Sequence, residues 1–223
     1  MKRITVLLAE DHMVVREGFR KLLEAEDDIE VVGEAQTGRQ AVELSRKFCP
    51  SVVVMDIAMP SLNGAEATRQ IRKSVRDTKV LILSAHNDDA YVDQAIASGA
   101  SGFLLKQTSA HDLSRAIRTV HKGNTFFSPS IARRLQDQKM PRGGGTPRKE
   151  MSHLSSREFE VLQLIAEGKA NKQTAAELGI SIKTVEKHRQ NLMAKLNIHE
   201  ISGLTRYAIA AGIIESSVQL TIR

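Results

Sequence analysis

Two hydrophobic periods alternate along the first part of the chain, from Ile4 to about Lys122. Short β-branched runs at residues 4–9, 29–35, 51–55, 79–85 and 102–105 are each followed by roughly ten to fifteen residues of helical periodicity. The runs show little polar alternation, so both faces of each strand are expected to be buried, the mark of a parallel sheet covered by helices. The pattern predicts an α/β domain built on a doubly wound, five-stranded parallel sheet.

The pattern breaks at residues 137–150, where three glycines and two prolines stand among few apolar side chains. Such a stretch buries too little surface to offset its ordering entropy and reads as a linker. Beyond it the helix signals are complete. Ser155 and Glu158 form a capping box, Leu154 and Phe159 a hydrophobic staple, and the helix they open should stop near Gly168. Asn171 is expected to cap a short helix ending at Leu178, Gly179 to supply the turn, and Ser181 to cap a longer helix reaching about Leu196. A last helix is expected over about 200–211. The expected organisation is an α/β domain of flavodoxin-like strand order over 1–123, a linker over 124–150, and a small all-α helix-turn-helix domain over 151–223.

Composition narrows the class. A chain of 223 residues, at ~150 residues per domain, fits two modest domains or one large one. With 41 % hydrophobic and 26 % charged residues it is neither disordered nor collagenous, and one cysteine leaves no internal disulfide. Cys49 precedes a Val-rich run and is expected to be a small buried hydrophobe in a reducing, cytoplasmic protein. The first apolar stretch stops at Glu10-Asp11, and no run approaches the ~18 residues of a membrane span, so no membrane partner is expected. The net charge of +6 is uneven: residues 1–130 hold 17 basic and 17 acidic side chains, and residues 131–223 hold 15 and 9. The whole excess lies in the helical part, which points to nucleic acid.

The candidate chemistry of the first domain lies where its strands end. Ligands of an open parallel sheet bind outside the carboxyl ends of the strands. Glu10 and Asp11 follow the first strand, Asp56 the third, Ser84 the fourth and Lys106 the fifth. Any one of them alone reads as a turn former, a cap or a solvated charge. Together they are chemically consistent: clustered carboxylates need a cation, and an all-oxygen set with room for water suits Mg²⁺. Asp56 can then act as a nucleophile toward phosphorus, with Lys106 on a phosphoryl oxygen and Ser84 donating a hydrogen bond. A dinucleotide fold is excluded, because Glu10-Asp11-His12-Met13-Val14 is no glycine-rich turn. A haloacid-dehalogenase type of phosphatase would want a second Asp two residues after Asp56, where Ala58 stands. The aspartyl phosphate is therefore expected to persist as a signal, and the chain to accept a phosphoryl group rather than turn over as an enzyme.

Asp56-Ile57-Ala58-Met59-Pro60 with Asn63-Gly64, together with Glu10-Asp11, Ser84-Ala85 and Gly102-Phe103-Leu104-Leu105-Lys106, resembles the receiver domain of two-component response regulators. The resemblance implies that Asp56 is the phospho-acceptor and a sensor histidine kinase the donor. It implies Mg²⁺ bound by Asp11, Asp56 and the backbone carbonyl of Ala58, with Glu10 acting largely through water. It also implies a switch in which Ser84 moves toward the phosphoryl group and Phe103 turns inward. Phe103 stands where many receivers have Tyr, and Gln107 where many have a proline in a cis peptide, which leaves the fifth loop's geometry open.

In the helical domain, Val185, Leu192 and Leu196 form one narrow stripe for the core, and the opposite face holds Lys183, Glu186, Lys187, Gln190 and Ala194, flanked by Arg189. The face is cationic, follows a capped N-terminus and carries side chains able to read base edges. Residues 153–213 resemble the LuxR-type helix-turn-helix, most visibly in Leu154-Ser155-Ser156-Arg157-Glu158 and Ser181-Ile182-Lys183-Thr184-Val185-Glu186-Lys187-His188. That resemblance implies base contacts from Glu186, Lys187 and Gln190 and phosphate contacts from Lys172, Lys183, Thr184 and His188. His188 also reads as a residue packed against the core. The last helix, with Ile201, Leu204, Ala208 and Ile209, resembles the family's dimerisation helix, though its apolar face also suits the domain's own core. Receiver followed by LuxR-type domain is the layout of the NarL/FixJ response regulators. It implies a phosphorylation-dependent regulator of transcription that binds double-stranded DNA as a homodimer. The alternative is a receiver acting as a phosphate sink, joined to a domain that binds DNA or protein constitutively.

Overall fold

The computed structural model describes residues 3–85, 89–127 and 154–215, with backbone only at 89 and 90. Most of the expected linker, 128–150, lies outside the described residues. The chain divides into two compact units, Met1–Arg142 and Gly143–Arg223.

The first unit alternates strand and helix throughout: β1 (Ile4–Ala9), α1 (Met13–Glu24), β2 (Ile29–Ala35), α2 (Gly38–Phe48), β3 (Val52–Asp56), α3 (Gly64–Ser74), β4 (Lys79–Ser84), α4 (Asp89–Ser98), β5 (Gly102–Leu105) and α5 (Ala110–His121). The strands form one parallel sheet in the order β2-β1-β3-β4-β5, the flavodoxin-like order expected. Every residue of β3 is buried, and successive side chains feed two cores. Leu7, Val53, Met55 and Ile82 pack with residues of α2, α3 and α4, whereas Val6, Leu8, Val54 and Leu81 pack with Leu113, Ile117 and Val120 of α5. Strand order reverses between β1 and β3, so the ends of these two strands border one crevice. Gly64 opens α3 against the back of that crevice, where a Cβ would run into the carbonyl oxygen of Asp56.

Two sequence expectations change here. Cys49 is exposed, not buried: it ends α2 in the left-handed conformation with φ 45°, because Pro50 forbids another helical turn. Residues 124–127, placed at the start of the linker, stay with the first unit, and Phe126 touches the sheet through a single bridge. Phe126 bridges Gly102, its N–H donating to Ser101 O at 3.0 Å and its carbonyl accepting from Phe103 N at 2.9 Å. Phe126 and Phe127 pack into the two different cores, as neighbouring residues of a strand would.

The second unit contains α6 (Ser156–Ala166), α7 (Asn171–Leu178), α8 (Ile182–Leu196) and α9 (Ile201–Ala210) around one core. The Ser155–Glu158 capping box forms as read: Ser155 N donates to Glu158 Oε2 at 2.7 Å and Glu158 N to Ser155 Oγ at 3.3 Å. The same carboxylate takes Lys195 Nζ at 2.7 Å, tying the start of α6 to the end of α8 and lowering the pKa of Glu158 against the pull of its own burial. Asn171 does not cap α7. Ala170 holds that position, its N–H satisfied by Gln173 Oε1 at 2.9 Å, and Asn171 Oδ1 instead accepts from Arg189 Nη1 at 2.6 Å, joining α7 to α8. Gly179 (φ 62°) makes the turn between them, and Ser181 caps α8 by accepting from Thr184 N at 3.1 Å.

Candidate functional site

The crevice between the ends of β1 and β3 brings together Glu10, Asp11, Asp56 and Lys106 of the residues singled out in the first domain. Glu10 and Asp56 are 3 % and 2 % exposed, and Asp11 sits at the rim. Lys106, just past β5, places its ammonium between the two buried carboxylates, 2.8 Å from Glu10 Oε2 and 2.9 Å from Asp56 Oδ2. Its backbone is fixed too, since Lys106 N donates to Ser84 O at 2.8 Å. Ser84 is fully buried at the end of β4, and Phe103 lies inward in the core that also takes Tyr91, Val92 and Ala95 of α4. Ala58 donates its N–H to Asp56 Oδ1 at 3.3 Å. No cis peptide occurs among the described residues, so Gln107 follows Lys106 through an ordinary trans bond, in a turn closed by Thr108 N to Leu105 O at 3.0 Å.

Electrostatically the crevice holds more negative charge than the Lys106 ammonium balances. Burial, and then the Glu10 carboxylate, raise Asp56 from its ordinary 3.8 to about 6, against the opposing pull of Lys106. Burial works against the Lys106 ammonium as well, but Asp56 and Glu10 outweigh it and raise its pKa. Asp11 Oδ1 is out of solvent and makes no hydrogen bond, its neighbour being His12 Nδ1 at 2.9 Å. Glu10, Asp11, His12 and Asp56 each offer one ligand atom, all within 4.8 Å of one another. An oxygen-rich set with excess negative charge and a hydrogen-bond-free carboxylate oxygen fits a hard divalent cation. His12 was not among the expected residues. Its side chain is exposed, and the Asp11 carboxylate holds its pKa above the usual value.

In the second unit, α8 buries Val185, Leu192 and Leu196 and exposes Lys183, Glu186, Lys187 and Gln190 on other faces, as the spacing predicts. Lys172 of α7 is exposed as well. The Thr184 hydroxyl is engaged with Ser181 Oγ at 2.8 Å, and His188 is half-buried. On α9, Leu204 and Ala208 enter the core, whereas Ile201 and Ile209 remain 53 % and 38 % exposed, so its apolar residues serve two directions.

Residues 6–118 match the family model for the response regulator receiver domain, and residues 152–208 that for bacterial regulatory proteins of the luxR family. Over 211 residues the chain is 37 % identical to the transcriptional regulatory protein DegU of Brevibacillus brevis, covering 89 % of each. It is 39 % identical over 205 residues to the transcriptional regulatory protein LiaR of Bacillus subtilis, covering 92 % of this chain and 96 % of LiaR. The chain belongs to the NarL/FixJ response regulators. Among solved structures, this response regulator is similar to ChrA of a heme-sensing two-component system, at 33 % identity and TM-score 0.52, covering 96 % of this chain and all of that one (100 %). It is also similar to RcsB from Salmonella enterica serovar Typhimurium bound to the promoter rprA with the phosphomimetic BeF3−, at 27 % identity and TM-score 0.59, covering 92 % and 98 %. The response regulator thus joins a receiver to a LuxR-type DNA-binding domain, the two parts of a phosphorylation-dependent transcription regulator. No helix among its described residues is long and apolar enough to cross a membrane.

Proposed function

We propose that Asp56 is the residue phosphorylated, with a sensor histidine kinase as donor. The observation that carries this is the Lys106 ammonium set between Glu10 and Asp56, at 2.8 and 2.9 Å, in a crevice where Asp56 is 2 % exposed. An Asp56 oxygen forms a bond to phosphorus as the P–N bond of phosphohistidine breaks. The histidine nitrogen keeps the electron pair and takes up a solvent proton. Lys106 shifts its contact from the Asp56 carboxylate to a phosphoryl oxygen. Asp11, Asp56 and the carbonyl of Ala58 would hold Mg²⁺, with Glu10 through water, and the ion would supply charge neutralisation at the phosphoryl oxygens. Ser84 and Phe103 are the switch pair, and self-catalysed hydrolysis resets the acceptor.

The output is a homodimer on double-stranded DNA in a cytoplasmic protein, with residues beyond Phe127 up to 150 as the linker. Ile201 and Ile209 supply the exposed apolar surface of α9 for pairing. The test is sedimentation and binding to a random-sequence duplex pool, with Mg²⁺, with and without beryllofluoride. A shift to dimer with tighter, salt-sensitive binding is expected; no shift with DNA binding intact would sink the proposal in favour of a phosphate sink.

Within α8, Lys183 and Lys187 are exposed cations on the face opposite the core. Lys183→Ala is expected to weaken binding to all duplexes alike and to lower the salt slope by about 1, as loss of one phosphate contact does. Lys187→Ala and Gln190→Ala are expected to cost about 1–3 kcal/mol on selected duplexes and to relax sequence preference. Unchanged preference in both, read by sequencing of selected pools, would move base reading elsewhere.

A further inference from the structure

Arg16 lies in the first turns of α1, on the side of the helix that meets the sheet, and its side chain is only 8 % exposed. A guanidinium that deep is costly unless its donors are used. Arg16 Nε donates to Glu34 Oε2 at 2.9 Å, and Arg16 Nη1 donates to the backbone carbonyl of Glu10 at 2.8 Å. Glu34 belongs to β2, where it pairs with Leu8, and its other oxygen, Oε1, is 3.5 Å from Arg20 Nε. Two arginines thus hold Glu34, and Glu34 holds Arg16.

The carbonyl that Arg16 takes belongs to the peptide joining Glu10 to Asp11. On its other side, Glu10 N donates to Ala35 O of β2 at 3.0 Å. The backbone of Glu10 is therefore pinned at both ends, by the neighbouring strand and by Arg16. The two side chains leaving this short stretch have demanding targets: Glu10 meets Lys106 Nζ at 2.8 and 3.0 Å, and Asp11 belongs to the group of ligand atoms lying within 4.8 Å of one another. A rotation of that peptide would turn both carboxylates away. A plain tie between α1 and β2 would be served by the Arg16–Glu34 pair alone. The added bond to the Glu10 carbonyl links this buried cation to the acidic crevice.

We propose that Arg16, oriented by Glu34, is a positioning residue that fixes the Glu10–Asp11 peptide and thereby sets the divalent-cation affinity of the crevice. The proposal rests on the cation site described under Proposed function. Groups that orient metal ligands from behind change affinity by about 10–100-fold when removed. Arg16→Gln in the full chain is expected to weaken Mg²⁺ binding by that factor in titration calorimetry. Arg16→Lys, which keeps the charge but offers one donor centre for two acceptors, is expected to lose part of it, and Glu34→Gln to lose several-fold through a misplaced Arg16. Thermal unfolding in chelator gives the readout a purely structural role would move. If the variants unfold earlier yet the folded proteins bind Mg²⁺ as the wild type does, the proposal is overturned. Should Arg16→Gln fail to fold, wild-type Mg²⁺ affinity in Glu34→Gln and Arg16→Lys overturns it equally. Absence of saturable Mg²⁺ binding by the wild type would overturn the cation site itself, and this proposal with it.

Discussion

Asp56→Asn is expected to abolish the response of DNA affinity to beryllofluoride and Mg²⁺ while leaving basal DNA binding unchanged. Coupling between two sites of one protein typically amounts to 1–3 kcal/mol, so the wild type should bind duplex about 5–150-fold more tightly when the receiver is loaded. Asn removes the nucleophilic oxygen pair but keeps the side-chain volume, which matters where the residue is 2 % exposed and packed at the end of an entirely buried strand. Its amide oxygen can still accept from Ala58 N, so the loop after β3 keeps its hydrogen bond. The exposed residues of α8 belong to the other compact unit, which has its own core. Fluorescence anisotropy on a labelled duplex pool, with Mg²⁺ and with or without beryllofluoride, checks this. A variant that still tightens on DNA when beryllofluoride is added would show that Asp56 is not the control point.

Much of the receiver was legible because its signals are local or follow from topology. β3 reads Val-Val-Val-Met-Asp, and such a run has no polar face to offer solvent. Once the five strands are placed in parallel, their carboxyl ends share one edge, so Glu10, Asp11, Asp56, Ser84 and Lys106 come together by connectivity and not by spacing. The helix starts at Ser155 and Ser181 were legible for a similar reason, because a cap is decided within four residues.

What stayed hidden depends on partners distant in sequence. Arg16 and Glu34 stand 18 residues apart, and nothing in the polar pattern of α1 separates Arg16 from a solvated arginine. Asn171 has the identity of a cap, but the guanidinium of Arg189, also 18 residues away, offers it a charge-assisted partner, and capping moves back to Ala170. Cys49 was misplaced because its nearness to the Val-rich run was taken as a sign of burial: Pro50 decides the backbone there, and the thiol is left outside. Phe126 and Phe127 were assigned by the neighbouring linker composition, whereas two adjacent phenyl groups at an open sheet edge have two cores to enter.

In metal-free solution the same Asp56→Asn variant is expected to be more stable than the wild type, and the sign of the difference follows from the crevice. Burial and Glu10 raise Asp56 from 3.8 to about 6 in the folded protein. Below about pH 4 the group is protonated in folded and unfolded chains alike and contributes no penalty. As pH rises through the window between those values, the unfolded chain releases a proton that the folded chain retains, and wild-type stability falls. Above about pH 6 the loss is complete, on the order of 3 kcal/mol at 1.36 kcal/mol per pK unit. A neutral, isosteric Asn never enters that regime. At neutral pH in chelator, its receiver transition should therefore lie higher than the wild type's by on the order of 10 °C in calorimetry, with the gap closing toward about pH 4. Saturating Mg²⁺ should narrow or reverse the gap, because a bound cation offsets the repulsion between Asp56 and Glu10 only where the carboxylate is present. If the variant melts with or below the wild type in chelator at neutral pH, Asp56 is not under electrostatic strain in the metal-free crevice. The excess negative charge that makes the site suit a cation would then have to be balanced by something other than the Lys106 contact at 2.9 Å.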